Sequence, residues 1–350
     1  MTDYIRCSLF GQSFNIQVEF EQKELKLQEG YIVEGKVLQS PSYRFDQLIN
    51  KWSATIENFD KIDPKKPLAI ITIKNNLKLL QFTVNKLITH KCLDSFNLLI
   101  VDDRSTEDLK TWCLKKKLIY ARVENSLNEF NFSVLNNIGA WIADCAKCDT
   151  IILWNSDLWP ESDNVISEIL KLHKENGSTI SGTKLLYPKV SWDGDQSVPD
   201  NILNHFPHKA LKFRGSIQFG GGIFFPDHTV NAMFPNHICR FMDKETPISN
   251  TDKTDFFVTG AFQVINLKWF IENGGLHCSL ANQFQDVDLC LRAVEQQKKV
   301  MYFGKDRELY HDESLVHYKE GTKMTKQFFT DHVLYIKTYP MQRFFKLLGD

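Results

Sequence analysis

Four short, largely apolar runs divide the middle of the chain, and a segment of mixed polarity follows each of them. The runs cover residues 68–73, 96–101, 118–123 and 150–154. A nearly unbroken apolar run of this length is typical of a strand buried on both faces of a sheet. Helical patterns between the runs, such as the one at 132–145, predict a mostly parallel sheet with crossover helices. The fold class predicted is therefore α/β.

The two ends of the chain follow other patterns. Residues 1–62 are predicted to form a small β-rich N-terminal appendage, because residues 13–20 alternate polar and apolar side chains and residues 31–37 resemble a second strand. Residues 318–350 mix lysines with aromatic residues and are predicted to form a helical tail. This tail either packs its aromatic side chains on the core or rests on an anionic membrane surface as a peripheral contact.

Residues 67–317 are predicted to form the main domain, whose second half is less regular than the first. The prediction places strands at 179–186, 215–225 and 256–265, and a helix at 286–298. The stretch between residues 187 and 253 is rich in Pro, His, Asp and Phe. Long irregular insertions of this kind commonly form binding loops or lids.

Composition narrows the class of protein. The 350 residues are 43% hydrophobic and carry a formal net charge of −1, which predicts a folded core and no overall field to recruit nucleic acid. No apolar run reaches the length of about 20 residues that a membrane-spanning helix needs, and the first ten residues lack the pattern of a signal peptide. Eight scattered cysteines are typical of reduced thiols. We therefore expect a cytoplasmic protein.

Acidic residues stand directly after two of the predicted parallel strands. Asp102 and Asp103 follow the run at 96–101, and Asp157 follows the run at 150–154. Such positions line the edge where parallel α/β sheets bind ligands. Carboxylates there can accept hydrogen bonds from a nucleotide or bind a hard divalent cation. The alternative is that each acid is a turn residue or a helix cap.

A third acidic position begins the predicted helix at 286–298. Asp286 and Asp288 are two positions apart, so their side chains point in different directions. One can face a site while the other caps the helix or pairs with Arg292. A carboxylate that removes the proton of an attacking hydroxyl contributes about 10²–10⁴-fold in rate. The alternative is a helix start with acids that stabilise its dipole.

Taken together, these motifs resemble the family 2 inverting glycosyltransferases of the GT-A fold, and in particular their bacterial O-antigen and rhamnan-type branch. The matching segments in the first half occur in the family's order. They are IITIKNN at 70–76, LIVDDRST at 99–106, FNFS at 130–133, NNIG at 136–139 and LWNSDLWP at 153–160.

The resemblance continues through the second half, so that it covers about residues 68–317. The matching segments there are GTKLLYP at 182–188, IQFGG at 217–221, VTGAF at 258–262, QDVDLCLR at 285–292 and LYHDES at 309–314. Each segment alone is a weak signal, whereas the ordered series is specific.

The resemblance implies a role for each matching position. It implies that Asp286 is the catalytic base and that Asp157 binds Mn²⁺ or Mg²⁺ at the donor diphosphate, with His311 as a second ligand. The residues implied to bind the donor nucleotide are Asn75, Asp102, Asp103, Ser105 and Asn137. Those implied to lie beside the donor or acceptor sugar are Gly260, Ala261 and Gln285.

The chain departs from the family pattern at several of these motifs. Thr72, Ile73 and Lys74 replace the usual Pro-Thr-Tyr of the first motif, and Ser156 leaves a single acid in the metal motif. Gln285 replaces an acid or Asn, and Phe219 replaces a His. The presumed base is retained, but these departures leave the identity of the donor open.

The sequence thus predicts an inverting, metal-dependent transferase that moves a sugar from a UDP- or dTDP-sugar to a saccharide or lipid-linked saccharide. Two alternatives stay open. A non-catalytic module that binds a sugar nucleotide or glycan would explain the departures at Ile73 and Ser156. A sugar nucleotidyltransferase would need a glycine-rich phosphate loop, and residues 72–77 contain no glycine.

Overall fold

A mixed sheet of nine strands organises the computed structural model, which describes residues 2–9, 12–19, 31–33, 36–38, 52–125, 130–197, 213–313 and 326–348. The strands, from one edge to the other, are β16 (Lys253–Thr254), β18 (Val300–Phe303), β11 (Ile180–Thr183), β17 (Phe262–Asn266), β9 (Thr150–Asn155), β6 (Leu68–Ile73), β7 (Asn97–Asp103), β8 (Ile119–Asn125) and β5 (Trp52–Glu57). The α/β class and the large central sheet are therefore confirmed.

The four predicted parallel strands lie together. β8, β7, β6 and β9 are neighbours in that order, and all three of their pairings are parallel. Every residue of β6 is buried, because strands flank it on both sides and helices cover its faces. The helices that follow these strands are α1 (Leu77–Thr89), α2 (Leu109–Lys115), α3 (Phe132–Cys145) and α4 (Val165–Glu175). The helix predicted at 132–145 is confirmed with these bounds.

Antiparallel strands complete the sheet on both sides. β17 pairs antiparallel with β9, and β5 pairs antiparallel with β8. β5 lies within the segment predicted as an N-terminal appendage, yet it forms an edge of the central sheet. Before it, the described residues form two antiparallel pairs, β1 (Thr2–Leu9) with β2 (Gln12–Glu19) and β3 (Tyr31–Val33) with β4 (Lys36–Leu38). The division of the chain at residue 62 stays a prediction.

Two predicted strands are each split between different sheets. The segment 179–186 forms β11 and then β12 (Leu185–Leu186), and the segment 215–225 forms β13 (Ile217–Phe219) and then β14 (Gly222–Asp227). β12 and β13 join a four-stranded sheet with β10 (Leu158–Trp159) and β19 (Leu309–His311), whereas β14 forms a hairpin with β15 (Ala232–His237). Gly221 has φ +117° and breaks the second segment, in a conformation that side chains rarely adopt.

Two further predictions are correct in kind and wrong in extent. Only Phe262–Asn266 of the segment 256–265 forms a strand, because Gly260 and Ala261 form a turn before it. The helix predicted at 286–298 is α6 (Gln285–Glu295), which ends before Gln297, a residue with φ +57°. It follows the short helix α5 (Leu267–Glu272).

The C-terminal region contains two helices, α7 (Lys326–Thr338) and α8 (Met341–Leu348). Tyr335, Tyr339 and Phe344 are almost fully buried in the main core. This burial supports packing of the tail's aromatic residues on the core. A peripheral membrane contact through the tail gains no support from these contacts. Within the described residues, no helix is both long enough and apolar enough to cross a membrane.

The contact between α3 and β6 depends on the small size of Gly139. A Cβ atom at this position would lie 2.6 Å from Cγ2 of Ile70, well inside van der Waals contact. Any larger residue would force the helix away from the strand at whose end the candidate site lies.

We expect Gly139→Ala to lower the free energy of unfolding by about 1–3 kcal/mol, the usual cost of overpacking a core. Urea denaturation measures this change. The double variant Gly139→Ala with Ile70→Ala is the control, because it removes the clash. Its loss of stability should be smaller than the sum of the two single losses; strict additivity would contradict the packing argument.

Candidate active site

The end of β7 carries two adjacent acids with different surroundings. Asp102 is fully buried. Its oxygens accept hydrogen bonds from the main-chain N–H of Ser105 at 2.8 Å and from the hydroxyl of Tyr120. The guanidinium of Arg122 lies 3.3 Å from the same carboxylate. Asp102 thus holds the turn that follows β7, and its contact with a nucleotide stays a prediction.

Asp103 lies between two cations. Its Oδ1 is 2.9 Å from Nε of Arg104, and its Oδ2 is 3.6 Å from Nζ of Lys74. The Asp103 side chain is buried, whereas Lys74 remains about a third exposed. Two positive groups around one carboxylate leave a local excess of positive charge at this edge, which suits an anionic ligand.

The turns after β6 and β7 are joined directly. The N–H of Asn75 donates to Oγ of Ser105 at 2.6 Å, and Oδ1 of Asn75 accepts from the N–H of Thr106 at 2.8 Å. Asn75 has φ +60°, a conformation that asparagine tolerates better than most residues. The structure therefore brings Asn75, Asp103 and Ser105 together, as their predicted common role requires.

Helix capping does not account for the two acids of β7. The cap of α2 is Asp108, whose side chain accepts from the N–H of Thr111 at 3.0 Å. Asp157, by contrast, does lie in a turn, between β9 and β10. The turn reading is correct for Asp157, but its partners show that it does more than close the turn.

Asp157 pairs with His311, and the pair lies on the opposite side of β6 from Asp103. Oδ1 of Asp157 lies 3.2 Å from Nε2 of His311, and both residues are buried. Nδ1 of His311 lies 2.9 Å from Oε1 of Gln218, and Nε2 lies 3.2 Å from the side-chain nitrogen of Asn155. Burial lowers the pKa of His311, but the neighbouring carboxylates of Asp157, Glu313 and Asp312 together outweigh it, so the pKa lies above its ordinary value.

The sheet register sets the spacing between these two groups. β6 lies between β7 and β9, with Ile73 opposite Asp102 and Thr72 opposite Asn155. Neighbouring strands are about 4.8 Å apart, so strands on either side of β6 are separated by about 10 Å. Asp103 with Lys74 and Arg104 (the Asp103 group) and Asp157 with His311 (the Asp157 group) thus lie on either side of the end of β6. Their spacing suits a nucleoside diphosphate.

Asp286 lies in the first turn of α6. Its Oδ2 accepts a hydrogen bond from the N–H of Gly260 at 2.6 Å, and its Oδ1 accepts from the N–H of Val287 at 2.9 Å. The residue as a whole is only partly buried. Burial raises the pKa of Asp286 above its ordinary value, as expected of a group that must accept a proton.

The other residues predicted beside the sugars surround Asp286. The N–H of Asn155 donates to the carbonyl of Ala261 at 3.0 Å, which ties the end of β9 to the turn that holds Asp286. A Cβ atom on Gly260 would lie 3.0 Å from Cβ of Asp286, a tight contact that a larger residue would make only if Asp286 shifted. Gln285 is buried, and its Oε1 finds no hydrogen-bond partner among the described residues.

Asp288 differs from Asp286 in the way its spacing predicts. Its Oδ2 lies 2.9 Å from Nε of Arg292, and its Oδ1 accepts from the hydroxyl of Tyr339 at 2.8 Å. Arg292 also donates to the carbonyls of Asn273 and Gly275. Asp288 is therefore the structural acid of the pair.

Asn137 makes a different set of contacts from those predicted. Its Nδ2 donates to the carbonyl of Leu276 at 2.8 Å, and its Oδ1 accepts from the N–H of the same residue at 2.9 Å. The amide thus holds α3 against the loop after α5. Its predicted place beside the donor stays a prediction.

Sequence reasoning missed several residues that support the site. Tyr120, Arg122 and Gln218 contact predicted site residues from a distance along the chain, and no local pattern points to them. Tyr187 and Arg240 form a cluster with Glu313, two residues after His311. Arg240 Nη2 lies 2.7 Å from Oε1 of Glu313, and the Tyr187 hydroxyl donates to the same carboxylate.

Comparisons with known proteins agree with this geometry. Residues 68–234 match the family model "Glycosyl transferase family 2". A solved structure, "Crystal structure of GalNAc-T7 with UDP, GalNAc and Mn2+", is similar to the chain with a TM-score of 0.55 and 12% sequence identity, over 78% of this chain and 48% of that one. Residues 68–234 are therefore similar to family 2 glycosyltransferases, and the chain has the GT-A fold.

One curated relative is "Uncharacterized protein y4gI" of Sinorhizobium fredii. It is 27% identical over 272 residues, which make up 77% of this chain and 27% of the relative. The chain thus spans about a quarter of that relative and about half of the solved structure. Neither match shows that the chain belongs to the O-antigen and rhamnan-type branch, so that assignment stays a prediction.

We expect Glu313→Gln to lower the free energy of unfolding by about 2 kcal/mol, somewhat less than the 3–5 kcal/mol of a fully buried broken pair. Burial alone raises the pKa of Glu313, but Arg240, the Tyr187 hydroxyl and two neighbouring histidines together outweigh it, and the pKa lies below its ordinary value of 4.5. The ionised carboxylate therefore stabilises the protein above pH 4.5, and this contribution is lost as pH falls through the lowered pKa.

Urea denaturation of both proteins between pH 3 and pH 7 measures the effect. The difference between wild type and variant should be full at neutral pH and shrink in acid. Glu175→Gln is the control, because Glu175 is exposed and lies 3.8 Å from Lys171; its effect should be at most about 0.5 kcal/mol. A difference that stays constant down to pH 3 would contradict the role given to the Glu313 charge.

Proposed function

We propose that this protein is an inverting glycosyltransferase that moves a sugar from a UDP- or dTDP-sugar to a hydroxyl of a saccharide acceptor. The observation that carries the proposal is the setting of Asp286. Its carboxylate is held by two main-chain N–H groups and has a raised pKa. It lies beside the end of β9, where the Asp157 group and the Asp103 group flank β6.

Asp286 is the general base of this reaction. The acceptor oxygen attacks the anomeric carbon as the bond from that carbon to the diphosphate oxygen breaks, and Asp286 takes the hydroxyl proton. One displacement inverts the anomeric centre. The two N–H groups fix the carboxylate in direction, and its raised pKa brings its basicity closer to what proton removal requires.

The nucleotide is assigned to the group formed by Asn75, Asp103 and Ser105. A carboxylate can accept a hydrogen bond from the ring N–H of a uracil or thymine base. Lys74 and Arg104 lie against the same carboxylate and supply positive charge toward an anionic donor. The similar solved structure contains UDP, which supports this class of nucleotide.

Asp157 and His311 fit a divalent cation. The contact of Nδ1 with the Gln218 oxygen places a proton on Nδ1 of His311. In the neutral ring, a lone pair on Nε2 then faces the Asp157 carboxylate. Two electron-rich atoms 3.2 Å apart need a positive charge between them, which a proton or a cation can supply. Mn²⁺ or Mg²⁺ there would neutralise charge on the leaving diphosphate.

Within the described residues no group of three His, Cys, Asp or Glu side chains could hold a metal ion. The protein would therefore provide two ligands, and donor oxygens and water the others. The similar solved structure contains Mn²⁺. Loss of the usual second acid at Ser156 is consistent with a site that depends on the donor for its remaining ligands.

A non-catalytic module that binds a sugar nucleotide or glycan is the second candidate. The departures at Ile73 and Ser156 favour it, whereas the retained Asp286 and its hydrogen bonds favour catalysis. The acceptor class, whether a polysaccharide, an O-antigen or a lipid-linked saccharide, and a cytoplasmic location at the inner face of a membrane remain proposals of the same kind.

We expect Asp286→Asn to lower kcat by at least about 10²-fold, because an amide does not accept the proton of the acceptor hydroxyl. Donor binding should persist, since the amide oxygen can still accept one of the two hydrogen bonds. The measurement is release of nucleotide from UDP- and dTDP-sugars in the presence of a panel of saccharide acceptors, with binding of UDP measured in parallel.

Asp288→Asn is the matched control for this change. It lies in the same helix, and weakening its contact with Arg292 should lower stability while folded protein keeps most of its turnover. Full turnover by Asp286→Asn would remove Asp286 from the mechanism. A wild-type protein that binds nucleotide and glycan but never releases nucleotide would favour the binding module.

We expect UDP or dTDP to raise the melting temperature in the presence of Mn²⁺ and to do so less in EDTA, because a ligand that binds only the folded state stabilises it. A thermal-shift series with UDP, dTDP, GDP and CMP measures this. Asp157→Asn should weaken the metal-dependent part of the shift and leave the metal-free part unchanged. Equal shifts with Mn²⁺ and with EDTA would contradict the assignment of Asp157 and His311.

A further inference from the structure

The loop that precedes α6 is held by a single carboxylate of the C-terminal helix α7. Asp331 is fully buried. Its Oδ1 accepts from the N–H of Ala281 at 3.1 Å, and its Oδ2 accepts from the N–H groups of Asn282 and Gln283 at 3.0 Å each. Three consecutive main-chain donors thus converge on one side chain that lies 49 residues after Asn282.

These hydrogen bonds are of the strong kind. A carboxylate that accepts several main-chain N–H groups is favoured in its ionised form, and its hydrogen bonds are then about twice as strong as neutral ones. The donors stand just before the start of α6, where main-chain N–H groups have no partner within the helix. The arrangement gives hydrogen-bond partners both to the buried Asp331 carboxylate and to the main-chain N–H groups of the loop.

Two aromatic contacts extend the hold to the next residue. Phe284 stacks on Tyr335 with ring centroids 4.5 Å apart and meets the edge of His332 at 4.6 Å. Phe284 has φ +62°, an uncommon conformation for a bulky residue, which persists only where its surroundings fix it. Asp286 follows two residues later.

The same C-terminal segment contacts α6 beyond Asp286 as well. The hydroxyl of Tyr339 donates to Oδ1 of Asp288, and Arg343 pairs with Glu295 at 2.7 Å. The chain on both sides of Asp286 is therefore fixed by α7 and the residues that follow it.

We infer that Asp331 is a positioning residue for Asp286, acting through residues 281–284. This inference rests on the proposed function for its catalytic part only. The Asp331 carboxylate sets the path of the loop, and the loop sets where the base stands relative to the acceptor hydroxyl. Misplacement of a reacting group by about 1 Å can cost about 10²-fold in rate, so loss of this hold should appear in kcat.

The test uses the full chain with Asp331→Ala and the conservative Asp331→Asn. Asn retains one oxygen acceptor and should keep part of the hold, while Ala keeps none. We expect kcat to fall about 10²-fold for Ala and about 10-fold for Asn. KM for the donor should stay within about 2-fold of wild type, because the residues assigned to the nucleotide lie at the end of β7 and in the turns after β6 and β7. If Ala does not fold, the Asn variant carries the test alone.

Tyr335→Phe is the matched control. It lies one turn along the same helix and loses the hydrogen bond to the carbonyl of Met233, at 2.8 Å, but keeps the ring that stacks on Phe284. Its kcat should stay close to that of wild type. A fall in kcat equal to that of Asp331→Asn would assign the effect to general loosening of the tail and overturn the inference.

Amide hydrogen exchange over residues 276–290 provides a readout that does not depend on turnover. Exchange there should become faster in Asp331→Asn and remain slow in Tyr335→Phe. Unchanged exchange in Asp331→Asn overturns the inference, whatever the activity. Faster exchange with unchanged kcat overturns its catalytic part. If wild type transfers no sugar, the proposed function fails, and the exchange data still decide whether Asp331 holds the loop.

Discussion

The hydrogen bond from the N–H of Gly260 to Asp286 joins α6 to the central sheet. Gly260 belongs to the turn that leads into β17, and β17 pairs with β9 in the centre of the sheet. Asp286 belongs to α6, which follows 26 residues later. Because Asn155 donates to Ala261 in the same turn, one short segment connects the helix that carries Asp286 to the strand that precedes Asp157. Glycine suits this position, since a side chain would crowd Asp286 and shift it.

Local pattern was enough to predict the parallel part of the sheet and its acids. β6, β7 and β9 are buried on both faces, so their apolar composition reveals them, and acids at their ends follow from the topology of a parallel sheet. The opposite directions of Asp286 and Asp288 follow from helix geometry alone, as does the pairing of Asp288 with Arg292. These features depend on residues close together in the sequence.

The features that sequence could not predict depend on distant partners. The segment 215–225 has strand character throughout, but Gly221 divides it between two sheets. Gln218 lies 93 residues before His311, which it orients, and Tyr120 reaches Asp102 across neighbouring strands. The contacts of Asn137 with Leu276 likewise span 139 residues. Such contacts are decided by packing. A match to a family motif does not distinguish a residue that contacts a ligand from one that holds a loop in place.

The three hydrogen bonds from residues 281–283 to Asp331 bear on the order in which parts of the protein form during synthesis. The ribosome makes the loop and α6 before it makes α7, and the interval between Asn282 and Asp331 is 49 residues. A nascent chain that has released the whole nine-stranded sheet still lacks the carboxylate that fixes the loop. The sheet, with Asp103 and Asp157 at the ends of its strands, can therefore form before the loop that leads to Asp286 is fixed.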